Sequence, residues 1–310
     1  MAHNHNHNHT VTNLNKSFTI GIILNIAFVI VELAAGYYYS SLALYSDAGH
    51  NLTDVSGLII SLIAFKMMNV KATNRFTYGY KKASILASLL NAIILLFTVG
   101  AIIYGGIHRI KHPQPIQGNA VSIVAFIGIF VNSISAWLFF KDKEKDINVK
   151  GAYLHLMADA VVSLGVVVAG IIIFYTHWFW IDTAVSFVIA VVVLVSTWRL
   201  LTDSITLTLD GVPKDINITK VEETILKFKE IKSVHHIHIW ALSSNQNALT
   251  AHLMIEDTSL ANFEKIKHSI KHELEHLNIN HATLEVETIT CKDEVCRDNV
   301  ADTSAHKVHE

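Results

Sequence analysis

The chain has 310 residues, of which 51% are hydrophobic and only 16% are charged, and its formal net charge is -2. A soluble protein usually carries about 25% charged residues, so this composition excludes an ordinary soluble protein and indicates a membrane protein with a modest soluble part. The near-neutral charge and the lack of a basic arm argue against nucleic-acid binding.

Residues 1–16 form a polar N-terminal tail in which residues 3–9 alternate histidine with asparagine. The alternation fits a loose metal-collecting tail, and the alternatives are an expression tag or a low-complexity stretch without a role. Tags usually contain uninterrupted histidines, which favours the metal-collecting tail. The tail has no basic stretch followed by a short apolar core, so no cleavable signal peptide is expected.

Six apolar segments follow, and each reaches the length of about 20 residues that a helix needs to cross a bilayer. They cover about residues 18–38, 42–68, 83–107, 119–140, 151–175 and 181–201. We therefore predict an α-helical membrane protein with a six-span bundle over residues 17–209.

Lysine and arginine are unevenly distributed between the connections of these segments. The connections after the second and fourth segments carry Lys66, Lys71, Arg75, Lys81, Lys82, Lys141, Lys143, Lys145 and Lys150. On the opposite side, only Arg109 and Lys111 are found in the short connections. Because basic loops stay on the cytoplasmic side, both termini and the lysine-rich loops are expected in the cytoplasm.

Two of the apolar segments carry the same polar pattern. His50 and Asp54 lie four residues apart in the second segment, and His155 and Asp159 lie four residues apart in the fifth. On a helix this spacing puts both side chains on one face. Two imidazoles and two carboxylates are a suitable ligand set for one tetrahedral zinc ion. The alternative is a set of interhelical hydrogen bonds that only holds the bundle together, but the duplicated pattern favours a metal path.

Other polar residues in the spans have weaker interpretations. Asp47 lies three residues before His50 and is expected to support the metal site or to line the way into it, without being a ligand. Asp182 falls at the outer end of the sixth span, where we expect it to be solvated. Hydrogen bonding and packing are the expected roles of Asn25, Glu32, Asn91 and Asn132.

The character of the chain changes from Asp210 onward. Pro213 would break any helix that continued from the sixth span. Alternating and helical apolar patterns then predict the order αββαβ over residues 210–290, which is an α+β domain with helices on one sheet. Residues 291–310 form a polar C-terminal tail with the chain's two cysteines, Cys291 and Cys296. Two cysteines cannot form a disulfide framework, so they bind metal or have no role.

A family resemblance rests on the six spans and on three motifs, SLALYSDAGHNLTD, GAYLHLMAD and SVHHIHIWAL. With these, the chain resembles the cation diffusion facilitator family over about residues 17–290, and within it the bacterial zinc/cobalt/cadmium efflux proteins and the vesicular zinc transporters. The resemblance implies a homodimer in a bacterial inner or plasma membrane. It also implies a cytoplasmic ferredoxin-like domain that dimerises and binds regulatory metal.

By the same resemblance, the transport ligands are His50, Asp54, His155 and Asp159. Manganese-type relatives have aspartate where this chain has His50 and His155. This difference disfavours manganese as the transported ion. Some family members also bind zinc in the loop between the second and third spans through histidine and aspartate. This loop, KMMNVKATNRFTYGYKKAS, has neither residue, so that site is expected to be absent.

In the soluble domain, the resemblance matches His235, His252 and Glu287 to metal-binding positions, one on each predicted strand. Cys291 and Cys296 would complete a site as paired cysteines do in vesicular relatives, although their spacing here is wider. Ordinary solvated side chains are the alternative for both sets. Surface positions are expected for the remaining histidines of the domain, His236, His238, His268, His272, His276 and His281.

The sequence therefore predicts a proton-coupled exporter of zinc, with cobalt and cadmium as further candidate substrates, and not an enzyme. Its expected partners are a second copy of the chain, the metal ions, protons and membrane lipid. One alternative is an intramembrane zinc hydrolase, which typically uses a His-Glu-x-x-His motif, and the six spans contain none. The other alternative is a zinc-sensing membrane receptor that does not transport.

Overall fold

A computed structural model describes residues 11–112, 114–140, 147–255 and 260–288. Its contacts divide the chain into two units, the first with residues 1–60 and 90–200 and the second with residues 61–89 and 201–310. Six long helices account for most of the N-terminal two thirds. They are α1 Val11–Tyr39, α2 Leu42–Met68, α3 Ala83–Lys111, α4 Gly118–Phe140, α5 Ile147–Thr176 and α6 Trp180–Thr208.

Within the described residues, five of the six helices are long and apolar enough to cross a membrane, namely α1, α3, α4, α5 and α6. The exception is α2, which is 27 residues long but carries Asp47, His50, Asn51 and Asp54 in its first half. A helix that carries several polar and ionisable side chains is necessarily less apolar than its neighbours. Helix α1 also begins at Val11, inside the stretch predicted as a polar tail, so residues 11–16 are helical.

The helices of the first unit pack through small and branched apolar side chains, such as Leu44, Ala125 and Val166, which are 0% exposed. Gly128 of α4 lets α1 come close, because a Cβ at this position would stand 2.6 Å from the Phe28 ring. Larger apolar side chains face outward, including Phe97, which is 78% exposed. An apolar exterior around a core of small residues is typical of a helix bundle in lipid.

The first turn of α2 is held by Asp182 of α6. Asp182 is 1% exposed, and its carboxylate accepts hydrogen bonds from Ser41 Oγ at 2.5 Å, Leu42 N at 2.7 Å and Ala43 N at 3.3 Å. Arg109 donates to the carbonyl of Ser40, two residues before α2 begins. The expectation that Asp182 is solvated was therefore wrong, because the free N–H groups at a helix start attract a carboxylate from a neighbouring helix.

We expect Asp182→Ala to lower the free energy of unfolding by about 1–3 kcal/mol, because it leaves buried donors of the α2 turn without an acceptor. Thermal unfolding of the purified chain in detergent measures this effect. Ser186→Ala is the matched control, since Ser186 is buried one turn later on α6 and its hydroxyl donates to the Asp182 carbonyl of the same helix. Equal melting temperatures for the two variants would contradict the role of Asp182.

The second unit contains the αββαβ segment predicted from the sequence. Its elements are α7 Ile218–Leu226, β1 Ile231–Ser243, β2 Gln246–Ile255, α8 Leu260–Glu275 and β3 Ile279–Glu287. Strand β2 lies between β1, to which it is antiparallel, and β3, to which it is parallel. The core between this sheet and the two helices includes Ile225, Leu249 and Leu274, all 0% exposed.

Candidate metal centre

Helices α2 and α5 bring their two polar pairs together at one place in the first unit. His50 Nε2 lies 3.5 Å from Asp54 Oδ2 and 3.6 Å from Asp159 Oδ1. His155 Nε2 lies 3.1 Å from Asp54 Oδ2 and 3.5 Å from Asp159 Oδ2. Each imidazole therefore faces both carboxylates, one from its own helix and one from the other.

These separations can be compared with those of a real zinc site. With Zn–N and Zn–O bonds of about 2.0–2.2 Å, neighbouring ligand atoms of a tetrahedron stand about 3.3–3.6 Å apart. The four measured separations run from 3.1 to 3.6 Å. Asp54, His155 and Asp159 each offer one ligand atom within 4.8 Å of the others, a spacing that could hold an ion, and His50 lies beside them with its Nε2 within 3.6 Å of both carboxylates.

The four side chains differ in their exposure to solvent. The side chain of Asp159 is 6% exposed and that of His50 is 15% exposed, whereas Asp54 is 26% and His155 is 45% exposed. The imidazole rings meet edge to face, with centroids 5.9 Å apart. The cluster is thus more deeply buried on the side of Asp159 than on the side of His155.

Further polar groups lie behind the more deeply buried side of this cluster. Asp47 is 0% exposed and accepts a hydrogen bond from Ser163 Oγ at 3.2 Å. Glu32 of α1 is also 0% exposed and accepts from Asn51 Nδ2 at 3.3 Å. The sequence predicts a hydrogen-bonding and packing role for Glu32, which the bond from Asn51 fits, but nothing in the sequence shows which residues of α1 face α2. Its burial on α1 next to α2 is visible only in the folded bundle.

The remaining intramembrane amides have separate environments. Asn25 Nδ2 donates to the carbonyl of Gly21 at 2.8 Å and to Ser135 Oγ at 3.4 Å, which fits the predicted hydrogen-bonding role. Asn91 lies against Gly57, where a Cβ would come within 2.6 Å of its side-chain oxygen. Asn132 is 0% exposed, and neither of its side-chain polar atoms has a hydrogen-bond partner within the part of the chain that is described.

A second cluster of metal-binding residue types lies on the sheet of the second unit. Strand pairing places His235 of β1 opposite His252 of β2, and Met254 of β2 opposite Glu287 of β3. Glu287 Oε2 lies 3.1 Å from His235 Nε2, and Glu287 Oε1 lies 2.6 Å from His252 Nδ1. One ligand atom from each of the three side chains falls within 4.8 Å of the others, a spacing that could hold an ion.

A β-bulge changes the direction of β1 beside this cluster. The pairing advances by three residues on β1 but by two on β2 between His235 and His238, and His236 has a φ of +53°. The His236 ring stacks on that of His252 with centroids 5.0 Å apart and is partly exposed. Loss of hydration, together with the neighbouring imidazoles, lowers the pKa of His236 below its usual value.

With both clusters described, the chain can be compared with known proteins. Residues 18–207 match the family described as the cation efflux transmembrane domain, and residues 213–289 match the cation efflux protein, cytoplasmic domain. The chain belongs to the cation efflux family. Since this is a family of metal-cation transporters and five helices are apolar enough to cross a membrane, the chain is a multi-pass membrane protein.

Members of the cation efflux family with known names are similar over most of their length. The chain is 37% identical over 276 residues to the cadmium, cobalt and zinc/H(+)-K(+) antiporter of Bacillus velezensis, covering 88% of both chains. It is 36% identical over 278 residues to the metal cation efflux system protein CzcD of Cupriavidus metallidurans, covering 89% of this chain and 88% of the relative. It is 32% identical over 286 residues to the zinc transporter ZitB of Escherichia coli, with 91% and 90% covered.

Some residues singled out in the sequence are not among the described members of either cluster. The histidines of the N-terminal tail, Cys291 and Cys296 lie outside the described residues. His238, His268, His272, His276 and His281 are exposed, as expected. Sequence reasoning passed over a His-Glu-x-x-His pattern outside the spans, at residues 272–276. Its two histidine rings lie 4.8 Å apart on the exposed end of α8, and no described third ligand lies within bonding reach.

Proposed function

We propose that this member of the cation efflux family exports zinc from the cytoplasm in exchange for protons. The transport site would be His50, Asp54, His155 and Asp159. The observation that carries this proposal is the set of four nitrogen-to-oxygen separations of 3.1 to 3.6 Å between α2 and α5. Ion pairs that only hold a bundle together have similar nitrogen-to-oxygen distances, so the metal site is favoured over them because two imidazoles and two carboxylates from two helices meet at one place.

The choice of zinc follows from the ligand atoms and from the relatives. Imidazole nitrogens suit zinc and other borderline metals, whereas sites made of carboxylates suit magnesium, calcium and manganese. The E. coli relative is named as a zinc transporter, and the B. velezensis relative is named for cadmium, cobalt and zinc. Zinc is therefore the proposed main substrate, and cobalt and cadmium are proposed as further substrates.

Proton exchange follows from the chemistry of the same ligands. A histidine must be neutral and an aspartate ionised to bind a metal, so protons compete with zinc for the site. Acidification of the side to which the site is open is expected to release zinc, and a higher pH there is expected to favour loading. A midplane site that faces each side in turn then works as an antiporter. The B. velezensis relative bears an antiporter name.

The orientation and the oligomer are part of the proposal. The distribution of lysine and arginine favours six spans, including α2, with both termini in the cytoplasm. The soluble domain of residues 210–290 would dimerise there, and the match to the cytoplasmic domain of cation efflux proteins over residues 213–289 supports this arrangement. His235, His252 and Glu287 would then bind regulatory zinc in the same compartment, with Cys291 and Cys296 as further candidate ligands.

The test is zinc uptake by the purified chain in inside-out liposomes with an imposed pH gradient. We expect zinc uptake that increases with the gradient and a matching movement of protons in the opposite direction. A zinc-sensing receptor would bind zinc without moving it. If a folded chain binds zinc but does not take it up, the proposed transport function is wrong and the zinc-sensing receptor is favoured.

The cluster on the sheet is expected to regulate transport without lying on the path of the ion. His235→Ala combined with His252→Ala should remove the stabilisation of the soluble domain by zinc, which amounts to about 2.7 kcal/mol when free zinc is 100 times the dissociation constant. Residual zinc flux should remain. Thermal unfolding with and without zinc, together with flux in liposomes, measures both effects.

The matched control for this double variant is His276→Ala with His281→Ala, which removes two exposed imidazoles from the same unit. The control should retain the stabilisation by zinc. Complete loss of flux in a well-folded His235→Ala, His252→Ala variant would instead put these residues on the transport path.

A further inference from the structure

Two carboxyl groups are buried beside the candidate transport site without being among its ligands. Glu32 of α1 and Asp47 of α2 are each 0% exposed. One oxygen of each group has a donor, since Asn51 Nδ2 donates to Glu32 Oε2 at 3.3 Å and Ser163 Oγ donates to Asp47 Oδ2 at 3.2 Å. Both carboxyl groups are therefore fixed in place from outside the pair.

The second oxygen of each group has no such donor. Glu32 Oε1 and Asp47 Oδ1 are buried, and no donor from the described residues reaches either of them. The two carboxyl groups are within hydrogen-bonding reach of each other. An ionised carboxylate only accepts hydrogen bonds, so two ionised groups cannot satisfy one another. A single proton held between them would satisfy both oxygens.

Neighbouring charges act on the pair in both directions. The titratable groups that face it are Asp159, whose charge repels an ionised form of either carboxyl, and His50, whose charge attracts an ionised Asp47. Three ionised carboxylates in one buried place would repel one another strongly, and carboxylates that share a site hold one proton between them for this reason. A bound proton is the least bulky way to remove one of these charges.

We propose that Glu32 and Asp47 form a proton-binding site that loses its proton when metal binds at the neighbouring four-residue site. This role presupposes the zinc–proton exchange proposed above. Asp47 lies one helical turn before His50, so a divalent cation at the transport site acts on the pair from close range in a poorly solvated region. The Glu32–Asp47 pair of one chain would then contribute one exchanged proton for each zinc ion. This proton is additional to those that zinc displaces from its four ligands.

The proton transfer is balanced in both directions. When zinc arrives, the O–H bond of the protonated carboxyl breaks, and the proton passes to water on the side to which the site is open. When zinc leaves on the opposite side, one carboxylate takes up a proton from water there. An alkali cation is the other occupant to consider, but potassium needs enough oxygens to replace its hydration shell, and the pair has only two free ones, Glu32 Oε1 and Asp47 Oδ1.

The test compares Glu32→Gln and Asp47→Asn with wild type in liposomes that contain both a zinc indicator and a pH indicator. Each variant keeps the size of the side chain but removes the shared acidic proton. We expect each variant to exchange about one proton fewer per zinc ion than wild type. The four zinc ligands still release their own protons, and only the proton of the Glu32–Asp47 pair is missing. Zinc affinity should stay within about tenfold, since only an outer group has changed.

The matched control is Asp215→Asn, which removes an exposed carboxylate from the second unit and should leave the proton count unchanged. Infrared spectroscopy of the wild-type chain tests the same site without a substitution. A C=O band of a protonated carboxylic acid should be present at neutral pH and should disappear when zinc is added. Glu32→Gln or Asp47→Asn should remove that band.

Distinct results separate the two proposals. Zinc flux in wild type without any proton movement would overturn the proposed exchange and, with it, the role of the pair. Zinc–proton exchange that keeps the same proton count in both variants would overturn the role of the pair alone. Wild-type flux that depends on potassium, with no carboxylic acid band, would assign an alkali ion to the pair and overturn the proton site.

Discussion

Asp54→Ala and Asp159→Ala are each expected to abolish zinc transport while the chain remains folded. Each carboxylate lies within 3.6 Å of both imidazoles, so its removal takes away one of the four proposed ligands. Even the outer partners of metal ligands contribute about 10–100-fold to metal affinity, so loss of a ligand should reduce flux by at least about 100-fold. Zinc uptake in liposomes at equal protein content measures the effect.

Asp215→Asn is a suitable control for both variants, because it also removes one carboxylate but at an exposed position of the second unit. It should transport zinc like wild type. Thermal unfolding in detergent establishes that the two alanine variants are folded. Near-normal zinc flux in both of them would remove the four-residue site from the transport path.

His50→Asp is expected to change the metal selectivity. The substitution leaves one nitrogen ligand, from His155, beside three carboxylates, and oxygen-rich sites favour manganese over zinc. Zinc transport should fall by about tenfold or more, because a direct ligand is lost. Transport of manganese, and of cadmium, should rise relative to zinc. Competition of each metal against zinc in the liposome assay, with wild type beside the variant, gives the ratio.

His50→Ala serves as the matched control for this prediction, since it removes the same nitrogen without adding a carboxylate. It should lose zinc transport without a gain in relative manganese transport. If His50→Asp moves zinc and manganese in the wild-type ratio, the ligand at this position does not determine the selectivity, and our interpretation of the site is wrong.

Several features of this chain can be predicted from neighbouring residues alone. The spacing of His50 with Asp54, and of His155 with Asp159, places each pair on one helix face whatever surrounds it. Apolar runs of membrane-crossing length and the alternating patterns after Asp210 likewise depend on local sequence. These patterns, with the three motifs, were sufficient to identify the cation efflux family, which the matches over residues 18–207 and 213–289 confirm.

Contacts between residues far apart in the chain were decided only by the tertiary structure. Asp182 lies 140 residues after Leu42, and no local pattern shows that its carboxylate accepts from the first turn of α2. The approach of Glu32 to Asp47 depends on which faces of α1 and α2 meet, and the stacking of His236 on His252 depends on a bulge in β1. Periodicity along one helix or strand defines a face, but only packing against other elements determines which polar groups that face meets.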